Sequence, residues 1–426
     1  MEDELARLFV IIGGLVVLAL TAALVAPYFI DWASYKADFE REAGRVLGRE
    51  VRVEGTARAW LLPFPSVTFT DVVVAGAQPG EPAMTVDEFS MDAELAPFLR
   101  GELLIFDMRL VRPNMRIEIG QNGRINWAVR PSSPFNPRQV TLENVTITDG
   151  AISINQQASG RTIEIADIDS TLSARSLAGP WRVGGTLSLN GVPLSLTAST
   201  GALGADGSLR VRISAEPHAY PFNLVTEGEA RFEGEQGLYS GTFRLHTLQP
   251  AASGEGREIA EAGNRVSGRF ALNHRRLAID EFRFATGSEE ELYTAEGQAA
   301  IELGANPSFS ITADGAQIRL DGSEAIGEAA SSLSADERLA ALRRFVADLP
   351  KPAIPGTIAV TLPAIIVGDT TIRNIRVEAQ PAADGWDIAS VAATLPGRTH
   401  FEGQGMLSTG EPLSFDGAIV LAVNQP

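Results

Sequence analysis

The sequence predicts a mainly β protein in which an N-terminal transmembrane helix is followed by a long antiparallel sheet with few short helices. Three observations predict this class. Residues Leu8–Ile30 form an apolar run without a charged side chain. From Arg49 onward, apolar residues recur at every second position, which is typical of strands with one buried face. The 41 glycines and 24 prolines of the chain supply the turns that many short strands require.

The run Leu8–Ile30 predicts a membrane anchor. About 23 residues of helix, at about 1.5 Å each, reach about 35 Å, which spans the hydrocarbon core of a bilayer. A cleaved signal peptide is the alternative. It is disfavoured because the run is long and Pro27 follows its best cluster of small residues. The predicted anchor residues, which end in an aromatic belt, are Leu8, Ile12, Leu15, Leu18, Leu24, Tyr28 and Trp32.

The charges that flank this run do not fix its orientation. Arg7 is the one basic side chain before it, whereas Lys36, Arg41 and Arg45 follow it. The positive-inside rule by itself places the body of the protein in the cytoplasm. The cations after the run, however, alternate with acidic residues on a predicted helix, which weakens that prediction.

Two further helices are predicted. Apolar residues spaced by three or four predict an amphipathic helix over Trp32–Leu47 that ends at Gly48. This helix caps the end of the sheet, lies on a membrane at the mouth of a groove, or does both. A capping box, SADE, begins a second helix at residues 334–349. The second helix either packs on the sheet or gates a cavity.

Turn sequences between alternating runs predict a meander of β-hairpins. Asp149-Gly150, Asn190-Gly191 and, more loosely, Asn273-His274 each separate two apolar alternating segments. Pro113-Asn114 separates two more. Together these signals predict about twenty strands, mostly with one apolar and one polar face, as in an antiparallel sheet that is wet on one side.

Bulk composition and motifs exclude several function classes. The net charge of −18 disfavours nucleic acid, which needs a basic surface, and adsorption of the body to anionic lipid. No cysteine is present, so disulfide and thiolate chemistry are excluded. The four histidines lack metal-ligand spacing, and no HExxH, P-loop or GxSxG motif occurs. The sequence therefore predicts no enzyme, no metal and no cofactor. A polysaccharide hydrolase with a carboxylate pair remains a minor alternative.

The apolar faces of the strands are the candidate functional surface. About twenty strands spaced by about 4.8 Å would form a sheet about 95 Å long, which two short helices cannot cover. The apolar face therefore either closes on itself, as a sandwich or barrel, or stays open as a groove for an apolar ligand. The predicted groove residues are Ile117, Ile119, Ile152, Ile154, Ile163, Ile165, Leu187, Leu189, Val211, Ile213, Phe243 and Phe270.

An ordered set of short motifs over about residues 1–200 resembles the N-terminal region of the AsmA family of bacterial envelope proteins. After the apolar run, the set consists of GREVRVEG (48–55), PSVTF (65–69), PFLRG (97–101), RPN (112–114), GRINW (123–127), NVTITDGAISI (144–154) and AGPW (178–181). Each motif alone is weakly specific. The acidic residues before the apolar run depart from the family pattern.

The resemblance implies an inner-membrane protein with a single span and its body in the periplasm. It further implies a curved, taco-like antiparallel β-groove that carries phospholipid between the inner and outer membranes, as in bridge-like lipid transfer proteins. The partners it implies are phospholipid, the inner membrane and a component of the outer membrane. The alternative function is a non-enzymatic scaffold, with a closed β body, for the assembly of outer-membrane proteins.

The sequence suggests five segments. They are an anchor with its flank (1–31), a membrane-proximal helix with the first β unit (32–130), β-groove repeats (131–323), an amphipathic helix (324–352) and further groove strands (353–426). The linker PSSPFNP (131–137) and the predicted second helix supply the boundaries.

Overall fold

The computed structural model describes residues 36–423, apart from residues 61, 77–79, 99, 101, 126–138, 234–235, 251–256, 260–262, 287–292, 320–353, 368–369, 384 and 409–413. The chain divides into two compact units. Unit 1 comprises the described residues up to Tyr220 together with Glu229–Gly237. Unit 2 comprises Pro221–Gly228 and the described residues from Leu238 onward. The domain boundaries drawn from the sequence remain predictions.

The described part is mainly β, as the sequence predicts. Its helices are α1 (Lys36–Leu47), α2 (Leu95–Phe98) and a single 3₁₀ turn (Pro396–Arg398). The strands of unit 1 are β1 (Val51–Val53), β2 (Ala57–Trp60), β3 (Ser66–Ala75), β4 (Pro82–Ala93), β5 (Leu103–Val111), β6 (Asn114–Ile119), β7 (Val140–Gln156), β8 (Arg161–Ala174), β9 (Trp181–Leu189), β10 (Val192–Thr200) and β11 (Leu209–Pro217).

Strand β12 (Phe222–Glu233) contributes residues to both units. So does β13 (Gln236–Pro250), whose first two residues belong to unit 1. The other strands of unit 2 are β14 (Arg257–Ile259), β15 (Arg265–Leu272), β16 (Arg276–Thr286), β17 (Tyr293–Glu302), β18 (Ser308–Gly315), β19 (Ile318–Arg319), β20 (Gly356–Val367), β21 (Thr370–Ala382), β22 (Gly385–Leu395), β23 (Thr399–Ser408) and β24 (Ser414–Val423). Strand β14 pairs with the end of β13.

The prediction of a purely antiparallel sheet is wrong, because each unit contains a parallel step. In unit 1, β5 and β6 both pair in parallel with β7. In unit 2, β18 and β19 both pair in parallel with β20. Parallel neighbours need a connection of about a dozen residues or more. The chain has such connections at residues 120–139 and 320–355, which contain the linker and the helix signal noted in the sequence.

The hairpins predicted at Pro113-Asn114 and Asp149-Gly150 are also wrong. Strands β5 and β6 pair with the same neighbours, β4 and β7, and not with each other. Asp149-Gly150 lies inside β7 at a shift of register against β8. Arg112 and Asp149 have φ values of 47° and 52°. The two breaks face each other, since the Arg112 amide donates to the Thr148 carbonyl over 2.9 Å. Asp149-Gly150 therefore forms a bulge, which bends β7 without ending it. Pro113-Asn114 instead leads from β5 into β6, and the two strands follow the same neighbours.

The hairpins predicted at the other two turns are confirmed. Asn190 and Gly191 have φ values of 47° and 81°, as a type I′ turn requires, and Leu189 pairs with Val192 across it. Leu272 pairs with Leu277 across the Asn273 turn. The Asn273 side chain accepts hydrogen bonds from the amides of Arg275 and Arg276 over 2.8 and 2.9 Å.

Helix α1 confirms the helical prediction over its described residues and packs on the start of the unit 1 sheet. The Phe39 ring stacks on Phe69 with centroids 3.7 Å apart. The Glu40 carboxylate accepts a hydrogen bond from the Val53 amide over 2.7 Å. The helix ends at Gly48, where φ is 68° and the Arg49 amide donates to the Gly44 carbonyl over 3.2 Å. The predicted cap on the sheet is thus in place.

The predicted anchor and the predicted second helix lie outside the described residues. Among the residues that the structure does describe, no helix has both the length and the apolar composition needed to cross a bilayer.

Candidate functional site: an apolar face

One row of apolar side chains crosses eight strands of unit 1 without a polar interruption. Its members are opposite one another in the hydrogen-bonded register, so they lie on the same face of the sheet. At about 4.8 Å per strand, the seven steps span about 34 Å. The unit 1 row consists of Val51, Val74, Met84, Met115, Ile152, Ile165, Leu189 and Val192.

Exposure rises along the unit 1 row from helix α1 to Leu189, and Val192 beyond it is partly exposed. Val51 and Val74, which belong to the cluster beneath α1, are 3% and 2% exposed. Met115, Ile152 and Ile165 are partly exposed. Leu189 is 38% exposed. The same face is therefore a closed core at its start and an accessible apolar surface farther along.

Ten of the predicted groove residues share this face. Ile117, Ile154 and Ile163 are opposite one another on β6, β7 and β8, one step along the strands from the unit 1 row. Ile163 is 37% exposed. The other seven lie on the same strands or follow on β9 and β11: Ile119, Ile152, Ile165, Leu187, Leu189, Val211 and Ile213.

The opposite face of the same strands is polar. Arg116, Ser153 and Glu164 are opposite one another beside the isoleucines. Arg116 also approaches the Glu81 carboxylate to 3.6 Å. Nearer the start of the sheet, burial and the neighbouring Asp107 carboxylate raise the pKa of Asp92. The Arg109 guanidinium partly offsets that increase. The sheet of unit 1 is thus amphipathic. Where its strands are half-buried, the charged side chains lie on one face, opposite the unit 1 row.

Unit 2 has an apolar row of its own that crosses ten strands. Three of its members are glycines, and at two of them an aromatic ring covers the backbone. A Cβ at Gly268 would lie 2.9 Å from the Phe243 ring, and one at Gly297 would lie 2.9 Å from the Phe282 ring. The unit 2 row consists of Phe243, Gly268, Phe282, Gly297, Ala313, Val360, Val377, Val391, Gly403 and Ile419.

The two predicted groove residues of unit 2 occupy different surroundings. Phe243 is partly exposed on the unit 2 row. Phe270 lies on the same face but is only 8% exposed, with the Tyr239 ring edge-on at 4.9 Å. Phe270 therefore contributes to packing, and Phe243 is the accessible member of the pair. A role in ligand contact stays a prediction for all twelve residues.

The described residues contain no group of three or more His, Asp or Glu side chains that could hold a metal ion. Burial, helped by Arg244 and Arg265, lowers the pKa of His246, which lies on the polar face of β13 opposite Arg265. The arrangement of both units is suited to holding apolar material along a surface, with charged groups kept on the other side.

Comparison with known proteins agrees with this architecture. The family model of the AsmA family matches residues 1–219, just over half of the chain. The chain belongs to the AsmA family. Neither the curated proteins nor the solved structures contain a match to it. The AsmA match ends close to the division between the two units, so unit 2 is described by its own geometry alone.

Sequence reasoning missed several members of the two rows in this AsmA-family chain. Met84, Met115 and Val192 complete the unit 1 row but are not among the predicted groove residues, although Met115 belongs to the alternating run that continues through Ile117 and Ile119. Gly268 and Gly297 were invisible as lining positions because glycine has no side chain. Each of these glycines is opposite a phenylalanine on the next strand, a pairing that identifies it as a lining position. That pairing can be recognised only once the strand register is known.

Proposed function

We propose that this AsmA-family chain is a non-enzymatic, membrane-anchored periplasmic protein that carries phospholipid between the inner and outer membranes along the apolar faces of its strands. The residues 8–30 run would hold one end at the inner membrane. Acyl chains would lie along the apolar rows, and head groups would remain in water. No bond is made or broken, and movement is passive.

The observation that carries the proposal is the exposure gradient along the unit 1 row. Fully burying a leucine or isoleucine contributes about 1.5–3 kcal/mol, so leaving a third of one exposed forfeits about 0.5–1 kcal/mol. Leu189 and Ile163 both leave more than a third of their surface accessible on a continuous apolar face. An acyl chain would recover that energy, at about 0.8 kcal/mol for each methylene removed from water.

The uninterrupted rows also suit transport better than fixed binding. No member of either row carries a polar side chain, so an acyl chain sliding across strands meets no group that it would desolvate. Similar contacts at every strand give similar energies, and a lipid would then exchange between positions without one deep minimum.

Lipid extraction from purified protein tests the proposal. Protein isolated at native and at raised expression is extracted, and phospholipid is quantified by mass spectrometry per mole of chain. Bound phospholipid at both levels supports the proposal. Its absence from both preparations would count decisively against a lipid carrier.

Location is tested separately by labelling. A cysteine introduced at Asn190, in the exposed β9–β10 turn of this cysteine-free chain, is treated with a membrane-impermeant maleimide. Labelling in cells with only the outer membrane permeabilised places the body in the periplasm. Labelling that requires rupture of the inner membrane places it in the cytoplasm.

The second candidate function is a scaffold for the assembly of outer-membrane proteins. One observation favours it. Within the described residues β24 pairs with β23 alone, and Ile419, Val420 and Leu421 are each more than half exposed. An exposed apolar edge strand can accept a further strand. A scaffold predicts capture of unfolded β-barrel precursors and no stoichiometric lipid.

A further inference from the structure

Three apolar side chains are exposed together at one end of the unit 1 sheet. Trp60 ends β2, Phe64 follows it in the turn before β3, and Leu95 begins α2 between β4 and β5. Each is more than a third exposed. The segment Trp60–Pro65 reads WLLPFP and carries no charged residue.

The two turns that carry these side chains lie side by side. The Ala93 amide, at the end of β4, donates to the Pro65 carbonyl over 2.8 Å. The Phe64 ring meets the Phe106 ring of β5 edge-on, with centroids 5.0 Å apart. We define the apolar tip as Trp60, Phe64, Leu95 and Phe106.

Helix α1 runs along the sheet so that its N-terminal end is directed toward the apolar tip. Two residues after its C-terminal end, the Arg49 side chain donates to the Ala75 carbonyl, at the far end of β3, over 3.2 Å. Its first residue, Lys36, reaches the Gly55 carbonyl at 3.5 Å, just before β2. The start of β3, opposite Trp60, lies beyond it in the same direction.

This direction ties the charge-free run to the tip end of unit 1. Five residues lie between Ile30 and Lys36, so six residue-to-residue steps join them, and six steps reach at most about 20–22 Å when fully extended. The end of the charge-free run is therefore held within that reach of the helix end that is directed toward the apolar tip.

We propose that the apolar tip inserts into the interface of the bilayer that holds residues 8–30. The proposal rests on the anchoring part of the proposed function and adds a second membrane contact to it. Tryptophan suits the bilayer interface, since its ring combines an apolar body with one polar N–H group. Phenylalanine and leucine suit the acyl boundary below it. A protein partner would also cover apolar side chains. The covalent tie to a charge-free run of spanning length argues for lipid.

Single-cysteine labelling of the full-length chain tests the tip, because the protein has no cysteine of its own. Phe64→Cys and Leu95→Cys variants carry an environment-sensitive nitrobenzoxadiazole dye and are reconstituted into vesicles of phosphatidylethanolamine and phosphatidylglycerol, with and without brominated acyl chains. Glu81→Cys is the matched control, since it is exposed at the opposite end of the β3–β4 pair.

We expect blue-shifted emission and severalfold stronger quenching by brominated lipid at the tip positions than at Glu81. Equal emission and equal quenching at all three positions would overturn the proposal. A Glu94→Cys variant is labelled as well, because Glu94 is exposed beside Leu95. In that variant all four side chains of the apolar tip are retained. A thermal melt matching that of the unlabelled protein shows that each labelled variant is folded.

The same samples separate failure of the tip from failure of the proposed function. A chain that floats with vesicles but shows no quenching at the tip overturns the tip contact and leaves the anchor intact. A chain that does not float overturns both. Lipid carriage is judged independently, from phospholipid extracted from the detergent-purified protein.

Discussion

Substitution of Ile163 by glutamate separates an apolar binding surface from an ordinary core. Ile163 lies on β8 opposite Ile154, is 37% exposed, and shares the apolar face with the unit 1 row. Thr162 precedes it on the same strand and is exposed on the opposite face. Ile163→Glu and Thr162→Glu therefore place the same charge one residue apart, on the two faces of one strand.

The structure sets the expected cost of the change. Fully burying an isoleucine contributes about 1.5–3 kcal/mol, and Ile163 realises roughly two-thirds of it, so replacement should cost about 1–2 kcal/mol. For a unit of this size, each kcal/mol lowers Tm by about 2–4 °C, which gives a decrease of about 2–8 °C. A closed core would behave differently, since an unpaired charge buried there costs several kcal/mol.

Phospholipid content and thermal stability are measured on wild-type protein and both variants. We expect Ile163→Glu to reduce phospholipid per mole of chain severalfold while the protein remains folded, because the new carboxylate lies where acyl chains would pack. Thr162→Glu should match wild type in both measurements. Equal lipid content in the two variants, or unfolding of Ile163→Glu near room temperature, would refute the assignment of this face as a lipid surface.

Three further predictions concern the elements that hold the faces in place. Phe39→Ala should lower the free energy of unfolding of unit 1 by about 3 kcal/mol, measured by chemical denaturation, because the stack on Phe69 is lost. Arg41→Ala, on the exposed side of α1, should change it by no more than about 0.5 kcal/mol. Equal costs for the two variants would contradict the docking of α1. Gly268→Ala should lower the free energy of unfolding by about 1–3 kcal/mol in a thermal melt, because its methyl group meets the Phe243 ring and the Glu281 carbonyl. Gly304→Ala, which has no neighbour within 4 Å, should leave the melt unchanged. A neutral Gly268→Ala would mean that the Phe243 ring does not lie over the backbone. Burial lowers the pKa of His246 below its unfolded value near 6.5. The stabilising contribution of the neutral side chain is therefore complete above that value and is lost as pH falls toward the lowered pKa. On acidification from about pH 7.5 to about pH 5, the Tm of His246→Gln should fall less than that of wild type, and equal decreases would exclude His246 as a source of acid sensitivity.

The contrast between two turn signals shows how far the sequence reaches. Asn190-Gly191 and Asp149-Gly150 both demand a positive φ, and both residues that precede glycine adopt one. The first forms a hairpin, because the segments on either side pair with each other. The second lies within one strand, because both halves of β7 find partners in β5, β6 and β8. Local sequence specifies the backbone angle; the available partners decide between a turn and a bulge.

The parallel steps were hidden for a related reason. The period of two predicts each strand, but it carries no information on the direction of a neighbour. From the sequence, the linker at 131–137 and the predicted second helix before β20 mark only the boundaries of segments. They lie within the connections that allow β7 and β20 to run parallel to the strands before them. An interruption of a dozen or more residues between strands is thus itself a signal for a parallel step.

The candidate face was predictable in composition but not in accessibility. Val51 and Leu189 belong to strands with the same alternation, and they lie on one row of one face. Val51 is buried because α1 packs there. Leu189 is accessible because it lies on β9, four strands beyond β4, which is the last strand of the cluster that α1 covers. Alternation fixes which side a residue faces, whereas the position of the helix decides which part of that side is core. In this AsmA-family chain the difference between buried core and accessible apolar surface along one row therefore depends on how far a twelve-residue helix extends over the sheet. The expected cost of a substitution on the row depends on its distance from that helix.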